Sequence, residues 1–245
     1  MTQRIVAWTA IGVLGLLGST SAVALESGFY IGAMGAQAKG DIDANDLFTD
    51  DPTLTNRVAT VDDTDTAIGL VLGGQFGRWV AVETQIINLG KYSANTTFTD
   101  PFYFTTSPRG VNVQYRETGE AVSVTLSGIL TIPIGEQVAI GLRGGFAVNV
   151  VESTYAIVAR RANSNTLVFQ EEDDNDAETS DLTATFGIGI EWDPTRHFGM
   201  RLEYQRINDV GSEDDDYDVD DEFDDEQEHG GFDVDLISLN LIGRF

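Results

Sequence analysis

The chain has 245 residues, with 40 acidic against 14 basic side chains and a formal net charge of −26. Such acidity argues against a nucleic-acid binder, whose phosphate contacts need lysine and arginine. Cysteine is absent, which excludes a disulfide framework and thiolate metal sites. Glycine is abundant, at 26 residues, among many Val, Ile, Thr and Phe, a composition that favours strands over helices.

The N-terminus reads as a processing segment. Arg4 gives a positive start, Ile5 to Leu17 is a short apolar run, and Ala22 and Ala24 place small residues where a signal peptidase reads. Residues 1–24 are therefore expected to be a secretory signal peptide cleaved after Ala24. The run is too short to span a bilayer comfortably as a helix, and no later stretch of about 18 apolar residues exists.

From there the chain alternates. The first segment, Phe29–Gln37, alternates softly, with alanine and glycine on both parities. An acidic loop over 39–65 follows. Thr66–Phe76 sets Ile68, Leu70, Leu72 and Phe76 against Ala67, Gly69, Gly73 and Gln75. Gly77-Arg78 is a tight hairpin turn. Trp79–Tyr92 then sets Val80, Val82, Thr84 and Ile86 against Ala81, Glu83 and Gln85.

A second long loop, 93–113, carries Phe98, Pro101, Phe102, Tyr103, Phe104 and Pro108. Tyr115–Ile132 alternates Val122, Val124, Leu126 and Leu130 with Ser123, Thr125, Ser127 and Thr131. Residues 133–137 turn the chain. Val138–Tyr155 alternates Ile140, Leu142, Phe146 and Val148 with Gly141, Arg143, Gly145, Ala147 and Asn149. The third loop centres on Asn163–Asn165, and its flanks, 155–160 and 166–170, are expected to prolong the hairpin beyond the membrane.

Asp181–Trp192 and Phe198–Asn208 follow, joined by a turn at Asp193–His197. The first sets Leu182, Ala184, Phe186, Ile188, Ile190 and Trp192 against Thr183, Thr185 and Glu191. The second sets Met200, Leu202 and Tyr204 against Arg201, Glu203 and Gln205. A fourth, almost wholly acidic loop fills 209–231. The last segment, Phe232–Phe245, alternates Ile237, Leu239, Leu241 and Phe245 with Ser238, Asn240 and Arg244, and it ends on an aromatic residue.

Eight segments of this kind, with short turns at one rim and long polar loops at the other, describe an all-β fold: an eight-stranded antiparallel up-and-down transmembrane β-barrel spanning residues 25–245. A soluble barrel would turn the same pattern inside out. Aromatic placement decides between them. Phe76, Trp79, Trp192, Phe198 and Phe245 mark the short-turn rim, and Tyr92, Tyr115, Tyr155 and Tyr204 are expected on the outer face towards the other rim. Two aromatic rings around an aliphatic belt fit the two water–lipid interfaces.

The chain resembles the eight-stranded outer-membrane barrels of the OmpA-like transmembrane-domain superfamily. The residues that carry the resemblance are Gly28-Phe29-Tyr30-Ile31-Gly32-Ala33, Arg201-Leu202-Glu203-Tyr204 and Gly243-Arg244-Phe245. It implies a Gram-negative outer-membrane location. It also implies that the final strand, with Leu239, Leu241 and Phe245, is the signal read by the barrel-assembly machinery. Gly243 departs from the pattern, standing where an aromatic is common. The peptidoglycan-binding domain that follows such a barrel in OmpA itself is not expected here.

Six charged residues are expected inside the barrel: Glu83, Arg143 and Glu203 on one level, and Glu191, Arg201 and Arg244 nearer the short-turn rim. Buried charges must pair, and an eight-stranded barrel has an interior just wide enough for side chains to fill. The preferred reading is a salt-bridge plug; the other is a gate whose pairs exchange to open a small pore.

In the acidic loop, Asp214, Asp216, Asp218 and Asp220 are weak candidates for a Ca²⁺ or Mg²⁺ site, because their spacing matches no closed ligand set. A solvated acidic surface that meets divalent cations diffusely is preferred. The aromatic group Phe102-Tyr103-Phe104 is either an interaction patch or part of the outer collar. Enzyme chemistry has little support. His197 falls in a short turn, and His229 with Ser212 or Asp233 forms no recognisable nucleophile–base motif. The glycine pairs Gly73-Gly74 and Gly144-Gly145 sit within strands and form no phosphate loop.

The expected function is structural or surface-interacting, without a cofactor. Expected partners are outer-membrane lipid, lipopolysaccharide, the assembly machinery and divalent cations at the acidic loops. A narrow, low-conductance pore is the first alternative, and a lipid A-modifying enzyme the second.

Overall fold

The computed structural model describes residues 28–42, 55–100, 110–162, 164–211 and 231–245. The segment 1–24 expected to be a signal peptide, the acidic run with Asp214, Asp216, Asp218 and Asp220, the aromatics at 102–104, Ser212 and His229 lie outside the described residues.

Period-two alternation gives each segment one lipid-compatible face, and antiparallel pairing satisfies its backbone. The strands are β1 (Gly28–Gly40), β2 (Thr55–Asp62), β3 (Thr64–Phe76), β4 (Val80–Asp100), β5 (Val111–Pro133), β6 (Val138–Arg161), β7 (Leu167–Thr195), β8 (Phe198–Val210) and β9 (Phe232–Arg244). Eight of them close a ring in the order β4-β3-β1-β9-β8-β7-β6-β5, with β5 returning to β4. The N-terminal strand β1 meets the C-terminal β9 over Tyr30 to Gly40. β2 is a ninth strand outside the ring, where the sequence predicts only a loop; it pairs with the outer part of β4.

The faces fall as a membrane barrel requires. Leu126, Leu142 and Ile188 point outward and are exposed, while Glu83 is fully buried and Arg143 is 5% exposed. Phe76, Trp79, Trp192, Phe198 and Phe245 are exposed around the short-turn rim, joined by Phe29. At the opposite limit of the belt, on β8 and β9, Tyr204 donates to Asp235 at 2.7 Å and Arg206 pairs with Asp233 and Asp235. Ionic groups there mark where hydrocarbon gives way to headgroups.

The upper aromatic ring is corrected in three places. Of the four tyrosines expected outside, only Tyr204 is. Tyr115 and Tyr155 share the inner parity of Ser123 and Asn149, and their rings stack at 6.4 Å. Tyr92 is buried, its ring edge-on to Phe232 at 5.1 Å.

The cause at Tyr92 is a bulge. The register of β4 slips between Asn88 and Gly90, so inward positions change from odd to even numbers. Gly90 takes φ +90, its N–H donates to Asn88 Oδ1 at 2.9 Å, and Asp65 accepts from the N–H groups of Lys91 and Thr66, both at 2.7 Å. A second slip, between Ile207 and Val210 with Asp209 at φ 46, turns both apolar residues inward.

The lumen therefore has two layers. The half near the short turns is charged. The half near the long loops is apolar, built from Ile87, Leu89, Ile207, Val210, Val234 and Leu236, all fully buried, with Ile42 and Phe232 packed against them. The rim above is uneven. The ladders β4–β5, β5–β6 and β6–β7 run on past the belt, to Asp100–Val111, Val111–Arg161 and Arg160–Leu167. From Val150 to Arg161, β6 alone rises roughly 35 Å along its own direction at the usual strand rise. β1 stops at Gly40, and Ile42 turns in over the lumen. The result is an open sheet, β2-β4-β5-β6-β7, standing above the ring.

Two predictions follow from the bulge. Gly90→Ala would set a Cβ 2.6 Å from Asp65 Oδ2 at a φ that disfavours any side chain, and should cost about 1–3 kcal/mol in urea unfolding from lipid vesicles. Asp65 ties the bulge together by accepting from the Lys91 and Thr66 amides. Asp65→Asn keeps the shape but weakens both acceptors, and should lower the unfolding midpoint at pH 7.

Candidate functional site

The short-turn half of the lumen holds the charged site. Inward parity places Glu83 on β4, Arg143 on β6, Glu191 on β7, Arg201 and Glu203 on β8, and Arg244 on β9. Ring closure brings these strands within reach of one another, and the six residues form one connected network.

Arg143 is the central cation. Its Nε donates to Glu203 Oε1 at 2.5 Å, its Nη2 donates to Glu203 Oε2 at 3.2 Å, and Nη2 also pairs with Glu83. Arg201 Nη1 donates to Glu83 Oε2 at 2.9 Å and lies 3.7 Å from Glu203 Oε2. Its Nε donates to Glu191 Oε2 at 3.0 Å. Arg244 then joins Glu191 to Asp193 at the rim. Three guanidinium groups thus face four carboxylates.

Sequence reasoning missed three members. Tyr30 on β1 donates its hydroxyl to Glu83 Oε2 at 2.7 Å. Its ring lies over Gly73, its register partner on β3, where any Cβ would overlap it. A large inward tyrosine in register with a strand glycine was the available signal. Gln85 Nε2 donates to Glu83 Oε1 at 3.0 Å, and Asp193 lies in what reads as a turn. Glu83 consequently accepts from two arginines, a tyrosine and a glutamine, which replaces the hydration that burial removed.

Above this layer the β5–β7 wall carries hydroxyls and amides. Thr125 donates to Gln85, Gln205 to Thr185, and Asn149 to Asp181 and Thr183. Elsewhere, Leu239, Leu241 and Phe245 lie outside the network on the outward face of β9, Phe245 at 85% exposure. His197 Nδ1 lies 3.4 Å from the Arg244 carbonyl oxygen in the short turn. Asp233 is engaged by Arg206 and by the Asp209 amide. Among the described residues no group of three or more His, Cys, Asp or Glu could hold a metal ion.

Removing one partner of such a network is costlier than replacing the set. Arg143→Ala leaves Glu83 and Glu203 to share Arg201 as their one remaining cation in the network and should destabilise the barrel by about 3–5 kcal/mol in urea unfolding. Glu83→Gln keeps the shape while uncoupling both arginines, and should cost less. Gly73→Leu would displace the Tyr30 ring. It should destabilise a wild-type barrel more than one already carrying Tyr30→Ala, a difference read by a double-mutant cycle.

No curated protein matches the chain. Solved structures that it resembles include Ail of Yersinia pestis, at 14% identity, covering 89% of this chain and 97% of that one with a TM-score of 0.38. The N-terminal β-barrel domain of Pseudomonas aeruginosa OprF is 10% identical, covering 88% and 97%, with a TM-score of 0.41. OprG of Pseudomonas aeruginosa is 16% identical, covering 89% and 94%, with a TM-score of 0.39. The family model for the OmpA-like transmembrane domain matches residues 25–229. With its closed ring, outward aliphatic belt and inward charges, the chain belongs to the OmpA-like transmembrane-domain family and is a barrel of the Gram-negative outer membrane.

Proposed function

We propose that this barrel is a closed-lumen anchor that holds a surface-interacting sheet above the outer leaflet. The observation that carries the reading is the burial of the inward side chains. Glu83, Arg143, Arg201 and Glu203 occupy one level and Ile87, Leu89, Val234 and Leu236 the next, none more than 5% exposed. Charged and apolar plugs in series leave a hydrated ion no route that avoids desolvation. The other support is the uneven rim, because strands that rise well past the belt add nothing to spanning a bilayer.

The role is non-enzymatic, in keeping with a family composed mostly of non-enzymatic outer-membrane barrels. Lipopolysaccharide and outer-membrane lipid surround the aliphatic belt. The outward Leu239, Leu241 and Phe245 of β9 serve as the signal for the assembly machinery. Divalent cations gather diffusely at the acidic loops.

Two measurements test the proposal together. In planar bilayers the purified protein should give no steady openings; a stable low-conductance level would favour the narrow pore instead. On intact cells, a cysteine placed at Thr97 or Asn112 should react with a membrane-impermeant maleimide, and protection at both sites would remove the surface role.

A further inference from the structure

Among the described strands, the sheet above the ring has two edges without a neighbour. On one side β7 runs from Leu167, but β8 pairs with it only from Thr185 inward, so among the described strands its outer stretch pairs with β6 alone. That stretch carries Glu171, Glu172, Asp173, Asp174, Asp176 and Glu178 in sequence. Charge along an edge is a common way to prevent unwanted strand pairing.

On the other side lies β2, Thr55–Asp62, of sequence TNRVATVD. It pairs with β4 from Val58↔Thr97 to Asp62↔Ser93, and no described strand lies on its far side. β1, which flanks β3 lower down, cannot cover it, because the chain leaves the sheet after Gly40 and Ile42 packs inward. β2 is rich in Thr and Val, has no proline or lysine, exposes Val58, and carries one cation, Arg57, at its outer end, away from Asp62. The β2 edge is thus left able to pair.

We infer that the β2 edge is a strand-addition site for an extended, cationic polypeptide segment. Main-chain hydrogen bonds along Val58–Asp62 give the affinity, and charge selects the partner. Selection follows from the net charge of −26 and from Asp62, Asp63 and Asp65 at the inner end of the edge. The same charge disfavours a second copy of this chain as occupant, since the pair would bring two strongly acidic bodies together. The inference rests on the sheet being surface-exposed, as in the proposed function, and names what that surface takes.

The test uses the full refolded chain in lipid nanodiscs and three synthetic peptides of about ten residues, close to the length of a strand. One alternates Lys with Val, one alternates Glu with Val, and one has the charge of the first but is interrupted by prolines. Hydrogen exchange is followed by mass spectrometry. The Lys–Val peptide should slow exchange of the 55–62 amides by about tenfold or more, and the other two should not. Val58→Lys with Thr60→Lys, which places charge along the edge and opposes a cationic strand, should weaken binding by about tenfold, or about 1.4 kcal/mol. Equal binding by the proline peptide, protection confined to 171–178, or no binding would overturn the inference. If Thr97 and Asn112 remain reactive on cells when binding fails, only the inference falls; if they are protected, the surface reading falls first.

Discussion

Everything in this molecule depends on one constraint: inside hydrocarbon, each backbone N–H and C=O must find a partner within the protein. A sheet meets that demand only by closing. Here closure is made by the β1–β9 and β4–β5 ladders, which join the ends of the described chain and complete the ring. Closure then fixes the rest. The pleat sends alternate residues to lipid, and the remainder enter an interior so narrow that eight strands nearly fill it. A charge placed on the inner parity of one strand is thereby forced against charges from strands far away in sequence. Arg201 meets Glu83 across a separation of 118 residues for this reason.

The two layers of the lumen solve the same problem in opposite ways. The charged layer bears a large desolvation cost and offsets it with near-complete pairing, Glu83 alone accepting from four side chains. The apolar layer bears no such cost, and Leu89, Ile207 and Leu236 fill it by ordinary packing. Ion pairs are directional, so the charged layer sets the rotation and stagger of the strands that meet there. Leucine and isoleucine do not discriminate among registers in that way. The layer that costs more is the one able to specify a single arrangement.

Regular alternation made the outward belt and the inward charges legible in the sequence. Leu126, Leu142 and Ile188 lie on lipid because no irregularity interrupts the β5–β6 and β6–β7 ladders between them and the short turns, and the one slip of β7 against β8 comes only at Trp192–Thr195, at the rim. Tyr92 was illegible because one inserted residue at Asn88–Gly90 inverts every position beyond it, and only Gly90 hinted at this. Tyr115 and Tyr155 show a different failure, since their parity was plain but was overruled by the expectation of an outer ring of aromatics. The apolar layer was hidden because Leu236 and Ile237 are both apolar, so alternation marks neither face there. β2 was hidden in a loop rich in Thr, Asn and Asp, where tertiary pairing with β4 outweighed composition.

The distribution of charge connects the interior to the surface. Three of the 14 basic residues, Arg143, Arg201 and Arg244, are committed to the lumen and balance carboxylates there. The fold therefore places scarce cations where an unpaired charge would be most costly. At physiological ionic strength a surface charge acts over about 8 Å, so a loop tip near the bilayer feels its headgroups and one farther out does not. Strands that rise well past the belt lift the sheet edges out of that range. A sheet raised in this way stands clear of charge at the membrane surface, a geometric consequence of building β4 to β7 longer than β1, β8 and β9.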